Sequence, residues 1–324
     1  MPYPHRLPRR ALLAAPLLAP ALPRPLRAQA GRPVRLLVGF PPSAIPDLVS
    51  RLFAPALSEA LGQPVVVENR PGAGGALAAE ALLRAPADGQ TLMMMAQYLP
   101  ALPAVQRHVP FDVAEVLPLA GTAQAPLVLL ATPDLDVRDL DGFLALARRQ
   151  GEALAYGHSG LASAPNLAMA LLRDSAGIAP LAVGYRGEPE ILNGLLTGAV
   201  RCGFGFLPGA AAQIGGGRLR GLGITTAERA ALLPEIPSFA ELGHPAVRIG
   251  AWWAVAVPRA TPAGIQARIA AAVTQVRALP ETRARLQSAG ALPLDLEGEP
   301  LLAFTAAERD RQLGLFRRLG VQPE

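Results

Sequence analysis

The sequence predicts an α/β fold in two lobes, each a mostly parallel sheet flanked by helices. Past Ala30, apolar runs rich in β-branched residues alternate with segments of helical spacing as far as about Thr225. Repeated strand–helix–strand units of this kind place parallel strands side by side, with helices on both faces of the sheet.

Two continuous apolar runs, Leu127–Ala131 and Trp252–Val257, are each followed by a proline within two residues. They are interpreted as strands that cross between the lobes. Lobe one then comprises residues 31–131 plus 255–324, and lobe two comprises residues 132–254.

The individual elements are assigned from their spacing and from the Gly, Pro and Asn residues between them. The first part gives the strand VRLLVGF, a helix from about Asp47 to Leu61, the strand QPVVVENR, the helix ALAAEALLRA after PGAGG, and the strands QTLMMMA and APLVLLATP. The second gives the helix LDGFLALARRQG, the strand ALAYGHSG, the helix APNLAMALLRDSAG, the strand LAVGYRG, the helix PEILNGLLTGAV, and the strands RCGFGF and RLRGLGIT. The strand IGAWWAVAVP and two helices, at about 262–277 and 300–319, complete the chain.

The composition excludes several classes of protein. With 324 residues, 51% of them hydrophobic and 17% charged, the chain can bury a full core and is long enough for about two domains. Five arginines and no acidic residue lie in the first thirty positions, so the remainder has 25 arginines against 25 acidic residues and no basic surplus for nucleic acid. The absence of lysine excludes a phosphate-loop lysine and a Schiff-base lysine.

The N-terminal thirty residues have the pattern of a secretory signal peptide. A basic region is followed by a short apolar stretch from Ala11 to about Leu22 and by Ala28-Gln29-Ala30. We therefore predict cleavage after Ala30 and a periplasmic location. The Arg9-Arg10 pair leaves both the Sec and the twin-arginine routes open.

Cysteine and histidine usage predicts neither a cofactor nor a metal site. The one cysteine, Cys202, excludes an intramolecular disulfide and is expected to be a small buried hydrophobe. The histidines past the leader, His108, His158 and His244, have unrelated spacings.

Two strand-to-helix turns have the features of anion sites. In "VRLLVGFPPSAIPD", Asp47 can cap the following helix while Ser43, Ala44 and Ile45 offer N–H groups. A second turn of this kind spans Tyr156–Asn166. Two such turns facing across a cleft would hold a small anion.

At these turns the chain resembles the Bug/TctC family, the extracytoplasmic solute receptors of tripartite tricarboxylate transporters. "VVVENRPGAGG" is the most specific of the matching motifs. The others are RLLVGFPP followed by Asp47, DGQTL, YGHSG followed by Ser163, YRG, GGGRLRGLGITTAER, LLPEIPSFAELG and AVPRATP.

The resemblance implies a monomeric type II periplasmic binding protein without enzymatic activity. It would close on a small carboxylate and deliver it to the membrane subunits of a tripartite tricarboxylate transporter. The family's two ligand loops fall on residues 40–47 and 156–163, and Tyr185 matches its Tyr-Lys/Arg-Gly motif. The predicted ligand-binding residues are Phe40, Pro42, Ser43, Ala44, Ile45, Asp47, Tyr156, His158, Ser159, Ser163 and Tyr185.

Within this set we expect the hydroxyls of Ser159 and Ser163 to hold the carboxylate, Tyr185 to close the side of the cleft and Asp47 to act mainly as a cap. The chain departs from the family where glycines are usual, at 43–45 and at Leu161-Ala162. It also departs where acidic residues are usual, at 201 and 205. Larger apolar side chains at the loop tips predict a narrower, more apolar cleft that favours an apolar or aromatic carboxylate over citrate.

Three alternatives stay open at this point. "GHSGL" is one residue away from a nucleophile elbow, so a secreted serine hydrolase using Ser159 is the second hypothesis. "GAGGAL" resembles a dinucleotide fingerprint but is more typical of a tight turn. His158 can donate to a ligand carboxylate or hydrogen bond within its own loop. Separately, because successive strand residues point to opposite faces, one of Trp252 and Trp253 is expected to lie at the edge of the cleft.

Overall fold

The computed structural model describes residues 32–160 and 163–323. The predicted signal peptide, its cleavage site and the loop residues Leu161 and Ala162 lie outside the described residues. Within the described part, no helix has both the length and the apolar character to cross a bilayer.

Helices and strands alternate along most of the chain, which confirms the α/β class. The strands are β1 (Val34–Val38), β2 (Val65–Asn69), β3 (Thr91–Ala96), β4 (Val116–Ala131), β5 (Ala155–His158), β6 (Leu181–Gly184), β7 (Cys202–Phe206), β8 (Arg220–Ile224), β9 (Gly250–Pro258) and β10 (Leu292–Pro293). The helices are α1 (Ile45–Leu61), α2 (Ala76–Arg84), α3 (Leu140–Gln150), α4 (Ala164–Ala176), α5 (Glu188–Leu196), α6 (Leu207–Gly215), α7 (Ala263–Ala278), α8 (Pro280–Ser288) and α9 (Gly298–Leu319).

In the described part of the chain the strands form one sheet with the order β2-β1-β3-β9-β4-β7-β5-β6, and β8 and β10 pair with β4 off this path. Pairing is parallel in the two outer parts, among β1, β2 and β3 and among β5, β6 and β7. It is antiparallel in the centre, where β9 and β4 lie between these parts. The predicted parallel sheet is therefore present twice, joined by an antiparallel middle.

Strand β4 belongs to both parts of the sheet. Its residues from Val116 to Pro126 pair with β9, and those from Leu127 to Ala131 pair with β7 and β8. The predicted crossing strands are thus neighbours, but β4 begins eleven residues before the apolar run that predicted it. The carboxyl ends of the parallel strands in both parts lead into the two turns that the sequence singled out.

Each part of the sheet is covered on both faces. Leu36 and Leu37 lie in two different apolar clusters, as do Leu127 and Val128, because successive strand residues point to opposite faces. Helix α9 reaches both parts: Leu301 packs against the first, whereas Leu315 and Phe316 pack against the second.

Candidate functional site

A cavity of about 1260 Å³ lies between the two strand-to-helix turns. Phe40–Pro46 line one side, His158–Gly160 and Ser163–Pro165 line the other, and Trp253 also lines it. Typical small-molecule sites enclose about 300–1,000 Å³. The cavity is therefore roomy, and Phe40, Ile45 and Trp253 make much of its wall apolar. That it is narrower than a tricarboxylate site stays a prediction.

The first turn is anchored by Asp47, which is 1% exposed and does not line the cavity. Its carboxylate accepts hydrogen bonds from the Ser43 N–H at 2.9 Å, from Asn69 Nδ2 at 2.8 Å and from Arg51 Nε at 3.0 Å. Asn69 also donates to the Phe40 carbonyl at 3.1 Å. Asp47 thereby holds the turn against β2.

Burial alone would raise the pKa of the Asp47 carboxyl. The hydrogen bonds from Arg51, Ser43 and Asn69 outweigh that effect and hold the pKa below its usual value. The carboxylate is therefore charged at neutral pH. Since Asp47 is the third residue of α1 and Ala44 is the N-cap, the predicted capping role becomes a loop-anchoring role.

The first turn offers the cavity fewer N–H groups than the sequence suggested. The Ser43 N–H is taken by Asp47, and the Ala44 N–H donates to the Pro41 carbonyl at 3.3 Å. Pro46 has no N–H, so of the three expected donors only the N–H of Ile45 lacks an acceptor within the described residues. Ser43 has a φ of 70°, a left-handed conformation that is uncommon outside glycine, and its bond to Asp47 holds it there.

In the second turn, Ser163 is the N-cap of α4. Its hydroxyl donates to the Gly160 carbonyl at 2.7 Å and accepts the Asn166 N–H at 3.5 Å. The expectation that this hydroxyl donates to a ligand carboxylate is therefore not met, although Ser163 does line the cavity. Ser159 also lines the cavity, and its hydroxyl has no partner in the described part of the chain.

The two turns match residue by residue at the start of their helices, a closer likeness than the sequence predicted. Residues Ala44-Ile45-Pro46-Asp47 and Ser163-Ala164-Pro165-Asn166 each provide an N-cap, a first helical residue, a proline and an Asp or Asn. Asn166 accepts a hydrogen bond from the Tyr156 hydroxyl at 2.7 Å, so it ties its turn to β5 much as Asp47 ties the first turn to β2. Each helix leaves the N–H of its first residue without an acceptor in the described chain, at Ile45 and at Ala164.

His158 is 7% exposed and lines the cavity between the two turns. Its Nδ1 accepts the Gly160 N–H at 3.1 Å, which places the proton of the neutral ring on Nε2. Burial lowers the pKa of His158, so the ring is neutral at pH 7. His158 thus makes the loop hydrogen bond and also keeps an N–H donor at Nε2.

Besides Asp47, two predicted residues lie outside the cavity lining, Tyr156 and Tyr185. Tyr156 is buried in the core behind the second turn. Tyr185 packs against the cluster that contains Ile191, and its ring lies over Gly157 and Gly194, where an added Cβ would come within 3.2 Å and 2.6 Å of the ring or hydroxyl. In this structure Tyr185 therefore does not close the side of the cavity.

Several lining residues were not anticipated from the sequence. They come from the segments that follow β3 and β6, from the last residue of β7 and from the C-terminal end: Gln97, Tyr98, Gln106, Arg107, Arg186, Glu188, Phe206 and Gln322. Most of them follow the carboxyl end of a strand, which is the signal that could have identified them. Trp253 lines the cavity while Trp252 packs edge-on to Phe304 in the core, as the alternation of strand residues predicts.

The residues of a hydrolase are not assembled. In the described chain no histidine bonds to Ser159, and Nδ1 of His244 lies 3.0 Å from the hydroxyl of Ser175. GAGGAL forms a tight turn that packs closely against Gly39, where an added Cβ would come 2.6 Å from Gly75 Cα. No cluster of metal-binding side chains occurs among the described residues.

Comparisons with known proteins agree on one family. A model described as the tripartite tricarboxylate transporter family receptor matches residues 49–321. Protein BugT of Bordetella pertussis (strain Tohama I) is 29% identical over 313 residues, covering 96% of this chain and 94% of that protein.

Solved structures give the same picture. Rpa4515 of R. palustris with adipate has a TM-score of 0.81 and 30% identity, covering 90% of this chain and 99% of that one. MatC of Rhodopseudomonas palustris with bound malate has a TM-score of 0.74 and 28% identity, covering 88% of this chain and 98% of that one.

Proposed function

The chain belongs to the tripartite tricarboxylate transporter receptor family, and from that premise we propose that it captures a small carboxylate in the cavity between its two matched turns. It would deliver this ligand to the membrane subunits of a tripartite transporter. The observation that carries the proposal is the pair of helix N-termini, at Ile45 and Ala164, that line one cavity.

The polar groups around these helix ends suit an anion. The Ile45 and Ala164 N–H groups and the His158 Nε2–H are donors, and the Ser159 hydroxyl can also donate. Helix N-termini carry partial positive charge that favours a carboxylate. A hydrogen bond to a charged group contributes roughly 1.5–3 kcal/mol, so a few of these donors give useful affinity.

Capture requires the two parts of the sheet to move as lobes. We propose that they are residues 31–131 plus 255–324 and residues 132–254, with β4 and β9 as the crossing connections. The receptor would act as a monomer in the periplasm after removal of the leader at Ala30.

The relatives bound to adipate and malate point to a ligand with one or two carboxylates. The apolar side chains of Phe40, Ile45, Phe206 and Trp253 in the cavity wall favour a ligand body that is apolar rather than one with a third carboxylate. We therefore place mono- and dicarboxylates ahead of citrate.

A thermal-shift panel of mono-, di- and tricarboxylates tests the function, followed by calorimetric titration of the best ligand. A ligand that binds only the native state at 100 times its dissociation constant adds about 2.7 kcal/mol to the free energy of unfolding, a readily measured shift. Native mass spectrometry of the purified protein would identify a retained ligand. Absence of any carboxylate-induced shift would contradict the function, and a larger shift with citrate than with the others would contradict the ligand preference.

A further inference from the structure

Glu188 is the one acidic residue in the cavity lining among the described residues. It is the first residue of α5, and its Oε1 accepts the Phe206 N–H at 2.8 Å. Gly209 makes room for its side chain, because a Cβ there would come 3.0 Å from Oε1. The carboxyl group therefore has a defined position in the cavity wall.

This carboxyl has no cation beside it. No arginine or histidine of the described chain lies within ion-pair distance of Glu188, whereas Glu68 is held by both Arg35 and Arg70. Its Oε2 has no hydrogen-bond partner in the same part of the chain. Burial raises the pKa of Glu188 to about 7, as expected for a carboxyl group without a compensating charge.

The chemistry of Glu188 is opposite to that of the two helix ends. The N–H groups of Ile45 and Ala164 and the His158 Nε2–H can only donate, and they suit the carboxylate of a ligand. When Glu188 is ionised, its Oε2 is an acceptor with negative charge, and a purely anionic ligand would be repelled by it. A ligand with a donor nitrogen would instead supply the missing partner.

We propose that Glu188 is a specificity-determining residue that selects a carboxylate ligand carrying an amino group, whose N–H bonds meet Oε2. The inference rests on the proposed function, since it assumes that the carboxylate of the same ligand occupies the helix ends. The ligand class is then an amino acid or another amino-substituted carboxylate.

The test compares matched ligands on the whole mature protein. Calorimetric titration would use α- and ω-amino acids of three to six carbons, each paired with the acid that lacks the amino group. In the parent protein the best amino member should bind about 10-fold or more tightly than its partner, the effect of one charge-assisted hydrogen bond. In Glu188→Gln, whose side-chain oxygen can still accept the Phe206 N–H, this preference should fall below about 3-fold.

Glu190→Gln is the matched control, because Glu190 lies on the same helix, accepts the Arg186 N–H and is outside the cavity lining. It should retain the parent preference, and thermal melts would establish that both variants are folded. Carboxylate binding without an amino preference, or a preference that survives in Glu188→Gln, would overturn the inference and leave the proposed function standing. If no member of any pair binds although another carboxylate of the thermal-shift panel does, the inference fails alone; if no carboxylate binds, the proposed function fails with it.

Discussion

Replacing Ile45 with proline removes one donor from the first helix end and little else. Ile45 is the first residue of α1, where a proline is favoured because its missing N–H has no intrahelical acceptor. The preceding Ala44 has φ −67° and ψ 155°, the extended conformation that a following proline requires. The variant should therefore keep the fold of the turn while deleting the Ile45 N–H.

The expected loss of affinity is that of a single hydrogen bond, from the Ile45 N–H to the ligand carboxylate. A hydrogen bond to a carboxylate contributes roughly 1.5–3 kcal/mol, so Ile45→Pro should weaken binding of the best carboxylate by about 10- to 150-fold. The control is Ile45→Val, which has a side chain of similar size to proline and keeps the N–H. It should lower the free energy of unfolding by about 0.5–1.5 kcal/mol and change affinity much less.

The measurement is calorimetric titration of the parent and both variants, with thermal melts of each. If a folded Ile45→Pro binds as tightly as Ile45→Val, the Ile45 N–H does not meet the ligand and the anion site has been placed on the wrong group.

Three further predictions concern the residues around the cavity. Ser163→Ala should lower the free energy of unfolding by about 1 kcal/mol through loss of the α4 cap. Ser163→Thr keeps a capping hydroxyl and should retain most of the parent stability. Equal urea midpoints for the parent and both variants would contradict the capping role. Asp47→Asn should lower the free energy of unfolding near pH 7, and by progressively less as the pH falls below about 4, because the depressed pKa of Asp47 gives stability that is present above that pH and lost on acidification. A pH-independent difference in thermal melts would refute this. For Glu188, whose folded pKa is raised from 4.5 to about 7, the unliganded parent should lose stability as pH rises across that interval. Glu188→Gln should flatten this dependence, and identical pH profiles would contradict it.

Most of the fold could be predicted because local sequence patterns indicate most of its helices and strands. The strand–helix alternation and the family are confirmed. The two strands predicted to cross between lobes are neighbours in the middle of the sheet, and the lobe boundaries stay a prediction. The first nine residues of β4 were missed because Pro118 and Gly121 interrupt the apolar pattern, and only pairing with β9 makes them a strand. Helix α8 was missed because it buries only Thr282 and Leu286, so its sequence has no apolar stripe that would indicate a helix.

The two turns of the candidate site could be predicted from the sequence, but the hydrogen bonds of their donors could not. Both turns were found because anion-binding turns follow strands and contain N-cap residues. How their donors are used could not be found, because it depends on Asp47 folding back onto Ser43 and on Ser163 bonding to Gly160. Glu188 and Phe206 are 18 residues apart in sequence and meet only through the packing of α5 on β7, so no local pattern marks them.

The matched prolines, Pro46 and Pro165, have a thermodynamic consequence. Each fixes the backbone of the second residue of its helix, and each turn is further tied to a strand by the side chain that follows, Asp47 or Asn166. The conformational entropy of ordering these turns is therefore lost when the protein folds and not when the ligand arrives. The turns are therefore preorganised for a ligand, and ordering them adds little to the entropic cost of binding.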